Sequence, residues 1–228
     1  MGKRLIQQRR GKGSIFRALS HHALAKPQMI SQRAEIIDIV DDPVRNTPLL
    51  KLLQDDQKVA YMLASEGSKV GDIVEINKTT KGSICELRNI PAGAQFFNIE
   101  VTPTSDATIV RTPGSFATIL NKEANKVLVQ LPSKKTKYFA SNCRAIIGIA
   151  AGSGQNEKPF LKAGNKHFAK AAKRKLYPVV RGTAMNACSH PHGGKNLGRS
   201  TTISRRKSSP GAKVGSISSK RTGRGRKK

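Results

Sequence analysis

The residues best suited to chemistry lie close together near the C-terminal end of the chain. Cys188, His190 and His192 fall within five positions, and Gly-Gly-Lys follows at 193–195. Such a cluster is compatible with a metal site, a Cys–His nucleophile or a loop that inserts into RNA. A zinc site needs paired ligands, and the other two cysteines are distant in the sequence. A nucleophile needs an orienting group and an oxyanion hole, and none is identifiable.

Other motifs that resemble catalytic sites are weak. The segments GKGS (11–14) and AGSG (151–154) are rich in glycine, but neither fits a Walker pattern, so turns and backbone contact with phosphate are expected. The carboxylate pairs Asp41-Asp42 and Asp55-Asp56 lie in predicted loops, where solvated turn residues are the usual outcome. The sequence therefore predicts no catalytic residue, no metal ligand and no small-molecule substrate.

Charge separates the three interpretations of the Cys-His cluster, because it is distributed very unevenly along the chain. The 228 residues include 42 Lys and Arg and 14 Asp and Glu, for a net charge of +28. The first acidic residue is Glu35 and the last is Glu157. Residues 1–34 contain 8 basic residues and residues 158–228 contain 20, so the segment between them holds 14 basic and all 14 acidic residues. The middle is neutral and both ends are strongly cationic.

Cationic ends of this kind predict a polyanionic partner, because pairing with phosphate releases condensed counterions. An anionic membrane would require an amphipathic basic helix or a lipid anchor. The C-terminal end instead consists largely of Gly, Ser, Arg, Lys and Pro, and no apolar run approaches about 18 residues. Nucleic acid is therefore the predicted partner, and the loop at 179–199, with its glycines and histidines, is predicted to insert into RNA. Three widely spaced cysteines predict reduced thiols in the cytoplasm.

The elements that must position these residues are mainly strands. Between residues 35 and 150, short runs rich in Val, Ile, Phe and Tyr alternate with Gly, Pro and Asn, which is typical of half-buried strands. Nine strands are predicted, at residues 35–40, 58–64, 72–76, 84–90, 95–101, 108–111, 116–120, 126–131 and 143–150. Most aromatic side chains there, among them Tyr61, Phe96, Phe97 and Phe116, are expected in the core.

The turn cluster at 89–93 divides this region into two halves, each of the size of a small barrel. A short basic helix is predicted at 165–176. We therefore predict a mainly β chain with four parts: a basic N-terminal extension (1–34), a first barrel (35–90), a second barrel with the helix (91–176) and an extended basic tail (177–228).

Several long motifs carry a resemblance to a known family. They are VVRGTAMNA (179–187), SHPHGGK (189–195), STTISRRKSSPGAKVGSISSKRTGR (200–224), IAAGSGQNEKPFLKAGNK (149–166), EGSKVGD (66–72) and NIPAGAQFFNIE (89–100). Through these motifs the chain resembles the universal large-subunit ribosomal protein two family. The start, MGKRLIQQRRGKGS (1–14), resembles its archaeal and eukaryotic cytosolic branch.

The resemblance implies an oligonucleotide-binding-type barrel, then an SH3-like barrel, then a tail that penetrates ribosomal RNA. It implies a structural constituent of the large ribosomal subunit in the cytoplasm, which supports subunit assembly, subunit association and the peptidyl-transferase region of the RNA. The expected partners are large-subunit ribosomal RNA and neighbouring ribosomal proteins, with no cofactor other than magnesium carried by the RNA and no enzymatic activity. The alternative is a free basic nucleic-acid chaperone or packaging protein.

One histidine of the family pattern is implicated near the peptidyl-transferase centre, and it corresponds to His190. The chain departs from the pattern at two positions, with Ser189 in place of Asp and Lys195 in place of Gly. Without the carboxylate, charge-assisted tuning of the imidazole is lost, so structural contact with RNA is the expected role of His190.

The predicted RNA-binding residues are cations, histidines and loop residues of both ends. They are Arg4, Arg9, Arg10, Lys12, Arg17, His21, His22, Lys162, Lys166, Lys173, Arg174, Lys175, Arg181, Asn186, His190, His192, Gly193, Gly194, Lys195, Arg199, Arg205, Arg206, Lys207, Lys213, Lys220, Arg221 and Arg224.

Overall fold

The predicted mainly β class is confirmed. A computed structural model describes Ile6, Phe16 and residues 19–155, 157–190 and 192–194. Strands account for 31% of the chain and helices for 10%, and the curled sheets are consistent with a β-barrel fold. The chain divides into two compact units, one comprising Ser20–Pro159 and the other comprising Met1–Leu19 and Phe160–Lys228.

The described residues contain twelve strands, one α-helix and two short 3-10 helices. The strands are β1 (Ala34–Val40), β2 (Leu49–Gln54), β3 (Val59–Leu63), β4 (Ile73–Val74), β5 (Ile84–Glu86), β6 (Gln95–Phe97), β7 (Ile99–Glu100), β8 (Ala107–Ile109), β9 (Ala117–Lys122), β10 (Lys126–Gln130), β11 (Thr136–Ala140) and β12 (Arg144–Ile147). The helix α1 spans Ala163–Ala172, and the 3-10 helices span Leu19–His22 and Gly182–Ala184.

All nine predicted strands coincide with observed ones, and the segment 43–48 between β1 and β2 is irregular. Strands β2 and β11 were not among the predictions. The predicted strand at 95–101 is two strands, because Asn98 between β6 and β7 has a positive φ of 51°. The predicted boundary between the two barrels stays a prediction.

A four-stranded antiparallel sheet, in the order β3-β2-β1-β4, covers the first hydrophobic core. Strand β1 alternates as a half-buried strand should, with Ala34 and Ile36 buried and Glu35 exposed between them. Ile36 pairs with Leu52 of β2, and a bulge then shifts the register before Asp38. The fully buried leucines of β2 form the centre of this core.

A six-stranded sheet, in the order β11-β10-β9-β6-β12-β5, surrounds the second core, and β7 pairs separately with β8. Phe96 and Phe97 are fully buried, as predicted, and Tyr61 is partly buried against the first core. Phe116 is 37% exposed, so its predicted place in the core is wrong.

Two carboxylates of the Ser20–Pro159 unit are buried and paired with arginines. Asp42 pairs with Arg45 and accepts the backbone N–H of Val44 at 3.1 Å, so its predicted place as a solvated turn residue is wrong. Glu100 accepts hydrogen bonds from the backbone N–H, Nε and Nη2 of Arg144 at 2.9, 2.9 and 2.7 Å. The three donors of one residue match the acceptor sites of one carboxylate, which is what a buried charge requires.

Glu100→Gln is expected to lower the free energy of unfolding of the Ser20–Pro159 unit by about 3 kcal/mol, because it removes the counter-charge of Arg144. The value is at the lower end of the range for a broken buried pair since the Arg144 side chain keeps 22% exposure. Urea unfolding followed by circular dichroism measures it. The matched control is Asp56→Asn, which breaks the exposed pair with Lys58 and should leave the midpoint nearly unchanged. Equal shifts in the two variants would contradict the prediction.

Candidate nucleic-acid interface

Helix α1 is basic and buries none of its ten residues. Its Lys166 and Lys170 are followed by Lys173, Arg174 and Lys175, and no acidic residue lies in its first turn. Phe168 of this helix is 73% exposed. Helices of this length are marginal in water unless they pack an apolar face. The exposed cationic surface of α1 therefore suits a polyanionic partner.

The C-terminal end of α1 places an arginine where glycine is the usual residue. The N–H of Arg174 donates to Ala171 O and the N–H of Lys175 donates to Lys170 O, both at 2.9 Å. This pair of bonds is a Schellman motif, which needs a left-handed residue after the helix. Arg174 takes that conformation with a φ of 50°. Arg174 therefore adopts a left-handed backbone conformation, which costs free energy for a residue that has a side chain.

Cations and aromatic rings line a hollow of about 710 Å³ beside this helix end. Lys166, Lys170 and Arg174 contribute the charge, and Phe16 and Tyr177 contribute the rings. The ammonium of Lys166 lies 5.4 Å from the centroid of the Tyr177 ring, a cation–π distance. Cations beside flat rings can bind a phosphate and stack a base at the same place.

The loop from Arg181 to Gly194 is closed by its own backbone. The N–H of Gly194 donates to Met185 O at 3.1 Å, and the N–H of His190 donates to Asn186 O at 3.2 Å. Gly193 lies so close to this turn that a Cβ there would be 2.4 Å from the carbonyl oxygens of Met185 and Asn186. Glycine at 193 is therefore required for the loop to close, which is a different reason from the predicted approach of RNA.

His190 is 6% exposed and packs inside this loop. Its Nδ1 accepts the backbone N–H of His192 at 3.0 Å, so the proton of the neutral ring is on Nε2. The two imidazole centroids are 5.0 Å apart. A Cβ at Gly182 would lie 2.4 to 2.6 Å from three atoms of the His190 ring, so the ring occupies the space that a side chain at 182 would need.

Cys188 is exposed, and its Sγ lies 3.7 Å from Ser189 Oγ. Cys85 and Cys143 are buried, and desolvation raises the pKa of both thiols. Among the described residues, no group of three His, Cys, Asp or Glu is arranged to hold a metal ion. In the same part of the chain, no helix is long and apolar enough to cross a membrane.

A second group of cations, which the sequence predictions missed, lies in the Ser20–Pro159 unit. Five exposed lysines lie on β9, β10, β11 and the connection between β10 and β11; we call them the lysine edge: Lys122, Lys126, Lys134, Lys135 and Lys137. Lys137 Nζ lies 5.1 Å from the centroid of the Phe139 ring. The signal in the sequence was local, because residues 107–156 contain seven Lys and Arg and only one acidic residue, Glu123.

The structure describes about half of the predicted RNA-binding residues. Helix α1 and the segment after it carry one group, the closed loop carries a second, and His22 is exposed at the end of the first 3-10 helix. The others lie outside the described residues: Arg4, Arg9, Arg10, Lys12, Arg17, the side chain of His21, Lys195, Arg199, Arg205, Arg206, Lys207, Lys213, Lys220, Arg221 and Arg224.

These features define a basic, mainly β protein whose exposed cations suit a polyanion. The model of the family described as ribosomal proteins L2, C-terminal domain, matches residues 80–212. The chain is 43% identical to the large ribosomal subunit protein uL2 of Archaeoglobus fulgidus, with 98% of this chain and 99% of the relative covered. The same protein of Methanocaldococcus jannaschii is also 43% identical, with the same coverage. The chain belongs to the ribosomal protein L2 family, whose members are structural proteins rather than classical enzymes.

Arg174→Gly is expected to stabilise the end of α1 by up to about 1 kcal/mol, because glycine adopts a positive φ without strain. The same change should weaken binding to large-subunit ribosomal RNA and reduce the salt dependence by roughly one phosphate contact. Hydrogen exchange of the α1 amides and filter binding measure the two effects. Arg174→Lys is the control, since it keeps both the charge and the strain. A variant at 174 that lost helix protection and kept full RNA affinity would refute this account.

Gly182→Ala is expected to displace the His190 ring and break the bond from the His192 N–H to Nδ1, because the new methyl group needs the space of the ring. Nitrogen NMR of the imidazole should show the change in Nδ1, and amide exchange in the loop should rise. Gly164→Ala in α1 is the matched control, since a Cβ there meets nothing within 4 Å. Unchanged His190 signals in Gly182→Ala would show that the ring does not depend on this glycine.

Proposed function

We propose that this chain is a structural constituent of the large ribosomal subunit that binds ribosomal RNA in the cytoplasm. In this role it supports subunit assembly, subunit association and the peptidyl-transferase region of the RNA. It has no catalytic residue of its own, takes no small-molecule substrate and needs no cofactor beyond magnesium carried by the RNA. Its partners are large-subunit ribosomal RNA and neighbouring ribosomal proteins.

The observation that carries this proposal is the separation of charge along this chain, which aligns over nearly all its residues with large ribosomal subunit proteins. Residues 158–228 contain 20 Lys and Arg and no Asp or Glu, and residues 1–34 contain 8 and none. Such segments gain free energy when they bind a polyanion and release its counterions. The relatives that align with 98% of this chain are named as large ribosomal subunit proteins, and the RNA of that subunit is the polyanion proposed here.

The described cations indicate how the RNA would be held. The hollow beside α1 offers lysines and Arg174 with two aromatic rings, which suits a backbone phosphate next to an unstacked base. The lysine edge presents charge without a deep pocket, which suits the backbone of an RNA helix. Contacts of the two kinds position a folded RNA by its shape rather than by its sequence.

The closed loop fits a supporting role near the peptidyl-transferase region better than a chemical one. His190 is buried and its Nδ1 is engaged by the His192 N–H. Ser189 does not supply the carboxylate that would polarise a histidine base. We infer that His190 maintains the loop that presents Arg181 and the glycine backbone to RNA.

The full-length chain is expected to remain with large subunits when they are sedimented through a high-salt gradient. A free nucleic-acid chaperone or packaging protein should move to the top of the gradient, because salt screens its exposed ionic contacts with nucleic acid. Tagged protein in each fraction, measured by quantitative mass spectrometry, separates the two functions. Recovery of the tagged protein only in the free fractions would contradict the proposed ribosomal function.

A matched measurement on the isolated chain and purified large-subunit RNA tests the mode of binding. If ten cations of the ends pair with phosphate, log affinity should fall against log salt with a slope of about −7 to −9. A slope near −1 would rule out binding through the ends.

A further inference from the structure

The four-stranded sheet turns an unusually apolar face away from its core. Ile73, Glu35, Leu53 and Val59 are in register across β4, β1, β2 and β3, so their side chains form one row on the same face. The exposed fractions are 47% for Ile73, 37% for Leu53 and 49% for Val59. Leu53 and Val59 are therefore neighbours on this face, and Glu35 separates them from Ile73.

The bulge in β1 extends this row. Ile37 is the residue between the two registers, and it is 40% exposed. The next paired row consists of Asp38, Lys51 and Tyr61. We call the set of Glu35, Ile37, Leu53, Val59 and Ile73 the outer sheet face. Exposed aliphatic side chains that are grouped on one sheet face in this way are typical of a surface that another molecule covers.

The charge of this region is opposite to that of the rest of the chain. Residues 34–76 contain nine Asp and Glu and four Lys and Arg, a net charge of −5 within a chain of +28. Glu35 and Asp38 are exposed on strand β1, and Asp55, Asp56 and Asp72 are exposed in the turns that flank the sheet. Within the described residues, ion pairs neutralise Asp42 through Arg45, Asp56 through Lys58 and Glu75 through Lys78. The remaining carboxylates would repel phosphate.

The composition of the outer sheet face also fits a protein better than RNA. Bases stack on flat aromatic or guanidinium groups, and Ile, Leu and Val offer no such plane. Aliphatic groups gain free energy when they are buried against other aliphatic groups. A carboxylate rim around an aliphatic centre is complementary to a polypeptide that presents apolar residues flanked by Lys and Arg.

We propose that the outer sheet face docks a second, basic protein of the large ribosomal subunit. This partner covers Leu53, Val59 and Ile73 with apolar side chains and meets the carboxylates with lysines and arginines. The inference rests on the proposed function, because the assembled subunit is where this chain meets such a partner. In this arrangement the lysine edge contacts RNA and the acidic sheet contacts protein. The sign of the charge on each surface therefore determines which class of neighbour it binds.

A photo-crosslinking amino acid at position 59 of the full-length chain tests the proposal in assembled large subunits. Position 101 is the matched control, because Val101 is 43% exposed and Val59 is 49% exposed. Position 138, where Tyr138 is 52% exposed on β11 among the lysines, serves as the RNA-facing probe. We expect position 59 to crosslink to one basic protein of the subunit, and position 138 to crosslink to RNA.

Crosslinks from position 59 to RNA, to the cationic ends of the chain itself or to nothing would overturn the docking surface and leave the ribosomal function intact. Failure of the unsubstituted chain to enter large subunits would instead defeat the proposed function, and the docking surface with it. The two failures are distinguished by the amount of chain in the subunit fraction, which is measured before irradiation.

A double variant supplies the second measurement. Leu53→Ser with Val59→Ser removes aliphatic surface from exposed positions, and the fold is checked by its circular dichroism. The crosslinked protein should be lost from salt-washed subunits about tenfold or more, as expected when central apolar contacts are removed, while the chain itself remains bound to the RNA. Val101→Ser should retain that protein at full stoichiometry. Equal retention in both variants would show that the outer sheet face is not the docking surface.

Discussion

All 14 Asp and Glu side chains of the chain lie between Glu35 and Glu157, so charge is balanced within the sequence only in that segment. In that middle segment each cation has a counter-charge in the same stretch of sequence, so the chain can compact around apolar cores without a net charge to oppose it. Two of the carboxylates are buried and paired with arginines, as Asp42–Arg45 and Glu100–Arg144, because an unpaired charge in the interior would be costly. The ends contain no Asp or Glu, and within the described residues one of their cations, Lys26, pairs with Asp106 of the middle segment.

The neutrality of the middle conceals a second separation of charge. Residues 34–76 have a net charge of −5, whereas residues 77–159 contain eleven Lys and Arg and five Asp and Glu, a net charge of +6. The acidic part builds the four-stranded sheet with its exposed aliphatic row, and the basic part builds the lysine edge. A single folded unit thereby presents two surfaces of opposite charge, and an acidic surface repels the polyanion that a basic surface attracts. Electrostatic repulsion of the wrong partner fixes orientation as effectively as attraction to the right one.

Sequence patterns predicted strands well where β-branched residues alternate with polar ones, and less well where pairing decides the structure. Strand β2, LLKLLQ, is rich in leucine, which has no strong strand preference, and it forms because Leu52 pairs with Ile36 and Ala60 on either side. Strand β11 follows a lysine-rich turn and lies at a sheet edge, where exposed polar residues mask the pattern. The burial of Asp42 depends on an arginine three residues later that the spacing alone did not reveal. The cationic ends were predictable from composition. The lysine edge and the acidic sheet were not, because their opposite charges cancel when the net charge of the whole middle segment is calculated.

The closed loop shows that residue types common in catalytic sites can instead determine the conformation of a loop. His190 excludes any side chain at Gly182, accepts the N–H of His192 and is almost fully buried, so its imidazole acts as a filling group with one directed acceptor. Gly193 is required because two carbonyl oxygens occupy the space of a side chain. Neither requirement involves a carboxylate at position 189, where this chain has Ser, so the loop keeps its form without one. A histidine packed in this way holds the backbone of the loop in a fixed conformation.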